Sequence, residues 1–283
     1  MISTIIVNGL SLSASYCMIA LGLSLAFGVM RIMNFAHGEL YMLGAYMAWL
    51  FYTKAHLPII LVLLIGMLVP AIIAIILERG IFRPLRGNPM SSYIAAVGVA
   101  FILQVLVGQI WGLGKDKQVN SYFGFSVDIF GAHISMTNVT VIILSVILTA
   151  ALLLFLRYTR FGKALRACAQ DAEAASVQGI GINKVAAITM GVAGLLVGAT
   201  GVLMAPISLV NPYMGGTVIL VAFNVIIIGG AGSIEGTILA AIILAFLTST
   251  VSSLVDSTTA QLLSFVFMFI ILSVRPMGLF KRA

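Results

Sequence analysis

Long uncharged runs alternate with short basic stretches along this chain. The runs fall at about 5–29, 40–53, 57–77, 91–113, 135–156, 185–207, 218–230, 237–255 and 260–274, and the semi-polar Ile32 to Glu39 leads into the second. A hydrocarbon core about 30 Å thick takes about 20 helical residues, and only a helix or a closed barrel pairs its own backbone groups there. The runs lack the ten-residue alternation of a membrane barrel. They predict an all-α polytopic membrane protein with about eight or nine transmembrane or re-entrant helical segments, some broken, in a single transmembrane domain over residues 1–283.

The basic residues give this array a direction. Arg79, Arg83 and Arg86 lie in one loop, Arg157, Arg160, Lys163, Arg166 and Lys184 in a second, and Arg275, Lys281 and Arg282 in the tail; together these are 11 of the 15 Lys and Arg. Positive loops stay on the cytoplasmic side, and two spans and then four segments separate them, so the parity is consistent. Three segments before Glu78 put the N-terminus outside. A re-entrant Ile32–Thr53 would instead place it in the cytoplasm. The first run is too long for a signal-peptide core and has no cleavage site after it, so it is expected to be retained as a span. Gly114 to Ile134, with Lys115, Asp116, Lys117 and Asp128, is the longest external segment, either a folded cap or a solvated connector.

Composition narrows the chemistry. Hydrophobic residues make up 61 % and charged residues 8 %, where soluble domains carry about 25 % charge. The formal charge of +7 does not indicate nucleic acid, because its carriers sit in loops between apolar runs. Cys17 in an apolar run and Cys168 in a basic loop form neither a disulfide framework nor a metal site. His37, His56 and His133 lie in separate segments, with no zinc-protease or nucleophile-elbow motif. Gly112-Leu113-Gly114-Lys115 is followed by Asp116, where a phosphate loop needs Ser or Thr for Mg²⁺, so ATP hydrolysis by this chain is not expected. No enzyme, cofactor or metal is expected. Gly108-x-x-x-Gly112, Gly194-x-x-x-Gly198, Gly232-x-x-x-Gly236 and Ser11, Ser13 and Ser15 suit close helix packing, and the 14 methionines act as packing fillers.

The second basic loop, 157–184, is longer than a turn requires. Its centre carries helix punctuation: Asp171 as N-cap, Glu173 in the first turn, and Gly179 at the end. These predict a helix over about Ala172 to Gln178, lined by Ala174 and Ala175. So short a helix is marginal in water. It is expected either to dock on another protein or to lie flat on the lipid surface.

Glu173-Ala174-Ala175-x-x-x-Gly179 resembles the loop by which permeases of ABC importers contact their ATPases, without the I-x-L-P continuation seen in many of them. Asn34-Phe35-Ala36-His37-Gly38-Glu39 with Gly44-Ala45-Tyr46, Arg160-Phe161-Gly162-Lys163-Ala164-Leu165-Arg166-Ala167, Gly229-Gly230-Ala231-Gly232-Ser233-Ile234-Glu235-Gly236, and the tail Arg275-Pro276-Met277-Gly278-Leu279-Phe280 resemble, in order, the LivH-type branched-chain amino-acid ABC permeases. The resemblance implies an ABC importer permease of the bacterial inner membrane that carries Leu, Ile or Val. It also implies a second related permease, two cytoplasmic ATP-binding subunits and a periplasmic binding protein as partners, with loop 157–184 as the coupling loop. Arg166, Asp171, Glu173, Ala174, Ala175 and Gly179 are then the candidates for coupling. Urea, short amides or other amino acids are alternative cargoes. A secondary transporter or channel would want intramembrane carboxylates, yet no charged residue lies between Lys184 and Glu235. Nothing argues positively for a scaffold without transport.

Charges at membrane depth are costly and usually face protein or water. Arg31, His37 and Glu39 lie where the first two segments join, and in a helix Asn34 and His37 would share a face. They form either a pathway lining, with Arg31 pairing Glu39 or the substrate carboxylate, or a structural polar knot. Asn8, Gln104, Asn211 and Asn224 serve as interhelical hydrogen bonds or as pathway lining. Glu235 sits in a Gly-rich turn, gate or surface.

Overall fold

Each apolar run becomes a helix in the computed structural model, which describes residues 2–112, 114, 116–129, 132–275 and 278–279. The helices are α1 (Ile2–Met30), α2 (His37–Met47), α3 (Ile59–Leu77), α4 (Pro89–Trp111), α5 (Met136–Tyr158), α6 (Arg160–Gln170), α7 (Ala172–Val177), α8 (Ile182–Met204), α9 (Met214–Gly229), α10 (Ile234–Leu254) and α11 (Ser257–Val274). Among the described residues, seven helices are long and apolar enough to cross a membrane: α1, α3, α4, α5, α8, α10 and α11. Two are shorter. α9 has 16 residues, and α2 reaches span length only by widening into a π-helical stretch, Ala48–Lys54. A second π turn, Glu78–Phe82, ends α3.

The protein is thus a multi-pass, all-α membrane fold, with one small external hairpin as its β structure among the described residues. The hairpin, β1 (Ser126–Ile129) and β2 (Ala132–Ser135), pairs antiparallel with Ser126 opposite Ser135. The external segment is therefore a folded cap. Tyr122 is buried and its hydroxyl donates to the Val202 carbonyl, while Tyr52 donates to the Ser121 and Tyr122 carbonyls at 3.3 Å. Lys117 and Val210 exchange backbone hydrogen bonds of 2.8 and 2.9 Å. Lys115 and the His133 side chain lie outside what is described, as do Lys281, Arg282 and Pro276, Met277 and Phe280 of the tail motif.

α8 forms the axis of the bundle, packed against α1, α2 and α3, while α10 lies antiparallel along α1 with Ser249 Oγ donating to the Ile5 carbonyl at 2.9 Å. Lipid tails give apolar helices little reason to associate, so close contact needs small residues. A Cβ on Gly198 would run into the Gly66 carbonyl and sit 2.8 Å from Pro70 Cγ, and one on Gly44 would strike the Gly198 backbone. The Gly194-x-x-x-Gly198 stripe is thus a true packing surface. The other two pairs behave differently. Gly112 ends α4 in open space with φ +99, and Gly232 forms a turn with φ +85, so that Gly236 packs on Gly229 instead. Ser13 and Ser15 turn back onto the Gly9 and Ser11 carbonyls, which removes their polarity from the interior.

Arg31 ends α1 in the left-handed region (φ 54), and its Nη2 lies 3.5 Å from the Gln170 carbonyl at the end of α6. The chain then doubles back, and His37 opens α2 beside the Ile19 carbonyl, roughly 16 Å up α1 from its lower end. α2 therefore starts at mid-depth. The N-terminal end of α1 lies on the face opposite the basic loops. The segment Ile32–Thr53 is re-entrant at its start, yet α2 leaves through the outer face, so the N-terminal side follows the three-segment expectation rather than the re-entrant alternative.

Candidate functional site

At mid-depth α2 and α9 cross backbone to backbone, because a Cβ on Gly38 would occupy the place of the Gly215 carbonyl. Glu39, in the first turn of α2, is 1 % exposed; its Oε1 accepts from Gln104 Nε2 of α4 at 2.8 Å. Its Oε2 is buried without a partner, against the backbone of Gly215, where a Cβ would come within 2.6 Å of it. His37 is fully buried with Nε2 at 3.2 Å from the Ile19 carbonyl. Asn34 accepts from the Ala36 amide at 3.0 Å and directs its amide nitrogen toward the Met190 sulfur. These groups form a polar junction at the start of two short helices, the arrangement that places helix dipoles and irregular backbone inside a membrane only where protein or a cavity surrounds them.

Beside this junction, two adjoining cavities of about 390 and 520 Å³, open mouths included, share Tyr16, Thr217, Val221 and Gln261. Asn224, Thr248 and Ser264 line one, and Tyr41, Met204 and Val218 the other. The walls are mostly aliphatic and aromatic, with a few amide and hydroxyl groups and no charge. Such a lining suits a small molecule with an apolar side chain and polar ends.

The basic face carries the second arrangement. Thr159 ends α5, accepting from the Gly162 amide at 3.0 Å, and Gly162 allows the tight corner because a Cβ there would strike the Leu156 carbonyl. α6 then runs to Asp171, whose Oδ1 accepts from the Glu173 and Ala174 amides at 2.9 and 3.0 Å and so caps α7. Gly179 closes α7 with φ +82; its amide donates to Ser176 and that of Ile180 to Ala175. Glu173, Ala174 and Val177 face outward, Val177 at 85 % exposure, while Ala175 is buried against the bundle.

Residues 5–272 match the model of a family described as branched-chain amino acid transport system, permease component. The chain belongs to this family of branched-chain amino-acid transport permeases. The permease is 31 % identical to the high-affinity branched-chain amino acid transport system permease protein LivH of Escherichia coli, over 97 % of this chain and 94 % of the relative. It is 29 % identical to the corresponding protein BraD of Pseudomonas aeruginosa, over 98 % and 95 %. The solved structure of PsaBC from Streptococcus pneumoniae in complex with Fab shares the fold with a TM-score of 0.54, at 15 % identity and covering 96 % and 95 % of the two chains.

Several expectations about individual residues of the permease change. Arg31 does not pair with Glu39: it stays exposed at the basic face, where its charge keeps water, and Glu39 turns inward to Gln104. Asn34 and His37 do not share a helix face, since residues 31–34 are not helical and α2 begins at His37. Cys168 lies in helix α6 and is buried, not in a loop. Asn8 sits half-buried near the outer end of α1, roughly 16 Å along the helix from the Ile19 carbonyl. Asn211 accepts from the Tyr213 amide in the turn before α9, and Glu235 is exposed in the first turn of α10. Arg166 donates to the Leu156 carbonyl and braces α6 against α5. Glu39 and Gln104 are 65 positions apart, so only their uncharged surroundings could have marked them.

The Glu39–Gly215 contact yields a direct prediction. Gly215→Ala alone is expected to destabilise the purified permease by about 1–3 kcal/mol through overpacking. In a Glu39→Ala background the same change should cost at least about 1 kcal/mol less, because the space is then free. Thermal unfolding of the four proteins in one detergent measures this, and strictly additive effects would refute the contact.

Proposed function

We propose that this permease is one subunit of an ATP-driven importer of branched-chain amino acids in the bacterial inner membrane. The observation that carries the proposal is α7: a helix too short to stand alone, capped at both ends and displaying Glu173, Ala174 and Val177 outward from the basic face. One of the two cytoplasmic ATP-binding subunits would seat on that surface through Glu173 and Ala174. Asp171 and Gly179 hold its shape, Ala175 anchors it inward and Arg166 braces its base. A second homologous permease completes the membrane part, and a periplasmic binding protein delivers cargo to the capped outer face. Cargo would pass along the cavities by Asn224 and the adjoining junction of Asn34, His37, Glu39 and Gln104, with Arg31 at the inner mouth and Asn8 at the outer rim. ATP-driven closure of the ATPase pair would move α7 and rock the helices, opening the pathway alternately to either side.

The largely apolar, uncharged cavity wall favours aliphatic side chains over urea or short amides. Uptake of labelled leucine into cells carrying the complete system is expected to be competed by valine and isoleucine and not by urea. The tagged permease should also bring down a second permease and two ATP-binding subunits. Competition by urea alone, or transport by the isolated chain, would overturn the reading.

A further inference from the structure

One cluster at the basic face belongs neither to the cavities nor to the outward surface of α7. Glu78 opens the π-helical turn at the end of α3 and is fully buried. Its Oε2 accepts from Arg83 Nη2 at 3.0 Å, and its Oε1 from Arg86 Nη2 at 2.8 Å. The same two guanidiniums reach the foot of α8: Arg86 Nη1 donates to Asn183 Oδ1 at 2.6 Å, and Arg83 Nη2 to the Asn183 carbonyl at 3.3 Å. Asn183 is the second residue of α8, and α7 joins that helix through the left-handed Gly179 and the N-cap Gly181. A buried carboxylate persists only where cations and hydrogen bonds satisfy it. A guanidinium offers several donors in a fixed planar fork, so one Arg holds a carboxylate and an amide oxygen in a set geometry that the compact, rotatable ammonium of Lys does not impose. Displacing the foot of α8 therefore pulls on both arginines and, through Glu78, on the end of α3. π turns of this kind often mark functional sites.

We propose that Glu78, Arg83 and Arg86 form a joint that passes movement of α7, through Asn183, to α3, and that Asn183 and Arg86 are positioning residues for transport. This rests on the reading of α7 as the contact with the ATPases. The test uses the complete transporter in membrane vesicles, measuring membrane abundance, ATP hydrolysis and labelled leucine uptake side by side. Asn183→Ala and Arg86→Lys are expected to keep abundance and hydrolysis within about twofold of the parent while lowering uptake per ATP by about fivefold. Asn183→Asp keeps an acceptor for Arg86 and should restore that ratio to within about twofold of the parent. A merely structural brace would lower abundance and both rates together and leave the ratio unchanged, which overturns the proposal. So does an Asn183→Asp protein no better than Asn183→Ala. If Glu173→Ala and Gly179→Val also keep the parent ratio, the coupling role of α7 has failed; if they uncouple while the Asn183 and Arg86 variants do not, the joint alone has failed.

Discussion

Glu173→Ala and Gly179→Val should each leave the permease in the membrane with its partners yet cut leucine uptake per ATP hydrolysed by about tenfold. The reason is the fragility of α7, which has 6 residues where an isolated helix needs far more to persist. Small terms then decide whether it forms. A negative charge in the first turn contributes about 0.3–1 kcal/mol through the helix dipole. A side chain forced into the left-handed region at Gly179 costs about 1–2 kcal/mol. Glu173 is also exposed, so its loss removes a contact from the docking surface as well as support from the helix. Side-by-side ATPase and uptake assays in vesicles would read the effect. Normal uptake in both variants would count decisively against coupling through this helix.

Gly198→Leu is expected to prevent the bundle from forming. Gly198 lies between α2 and α3, against Gly44 on one side and Gly66 and Pro70 on the other. Overpacking a well-filled core costs about 1–3 kcal/mol when side chains can yield. Here the obstructions are the Gly66 carbonyl and the rigid Pro70 ring of α3, neither of which can turn aside, so the cost should exceed about 3 kcal/mol. The yield of monodisperse protein extracted in mild detergent should collapse for Leu and fall only partly for Ala. A Leu variant with the parent's yield and melting temperature would show that α3 moves off α8 freely, and the packing described for α8 would be wrong.

Much of this architecture was legible because a bilayer reduces folding to a question of length and charge. Every apolar run became a helix, and the capping residues of α7 located it within a residue, since Asp171 and Gly179 act through their own backbone neighbours. Local chemistry of that kind is written in spacing. α6 escaped notice because its residues, Arg160 to Gln170, are amphipathic and basic, so no long apolar run announces it. Partner choice across the bundle escaped for a different reason. Arg31 and Glu39 are near neighbours in sequence with opposite charges, but pairing them would have required burying a guanidinium. Glu39 found Gln104 instead. Glu78 stood at the edge of a basic loop and gave no hint that two of those arginines would enclose it.

α8 is fastened at its foot by Arg83 and Arg86 and near its head by Tyr122, and beyond its end the chain is stitched to Lys117 at Val210. A mast stayed at both ends carries its stays with it, so a pull at its foot reaches the end of α3 below and the outer cap above. α4 buries one face, through Ala96, Val99, Val107 and Gly108, and is tied to α2 by the Gln104–Glu39 hydrogen bond. Amide hydrogens along α8 would accordingly be among the last in the molecule to exchange with solvent.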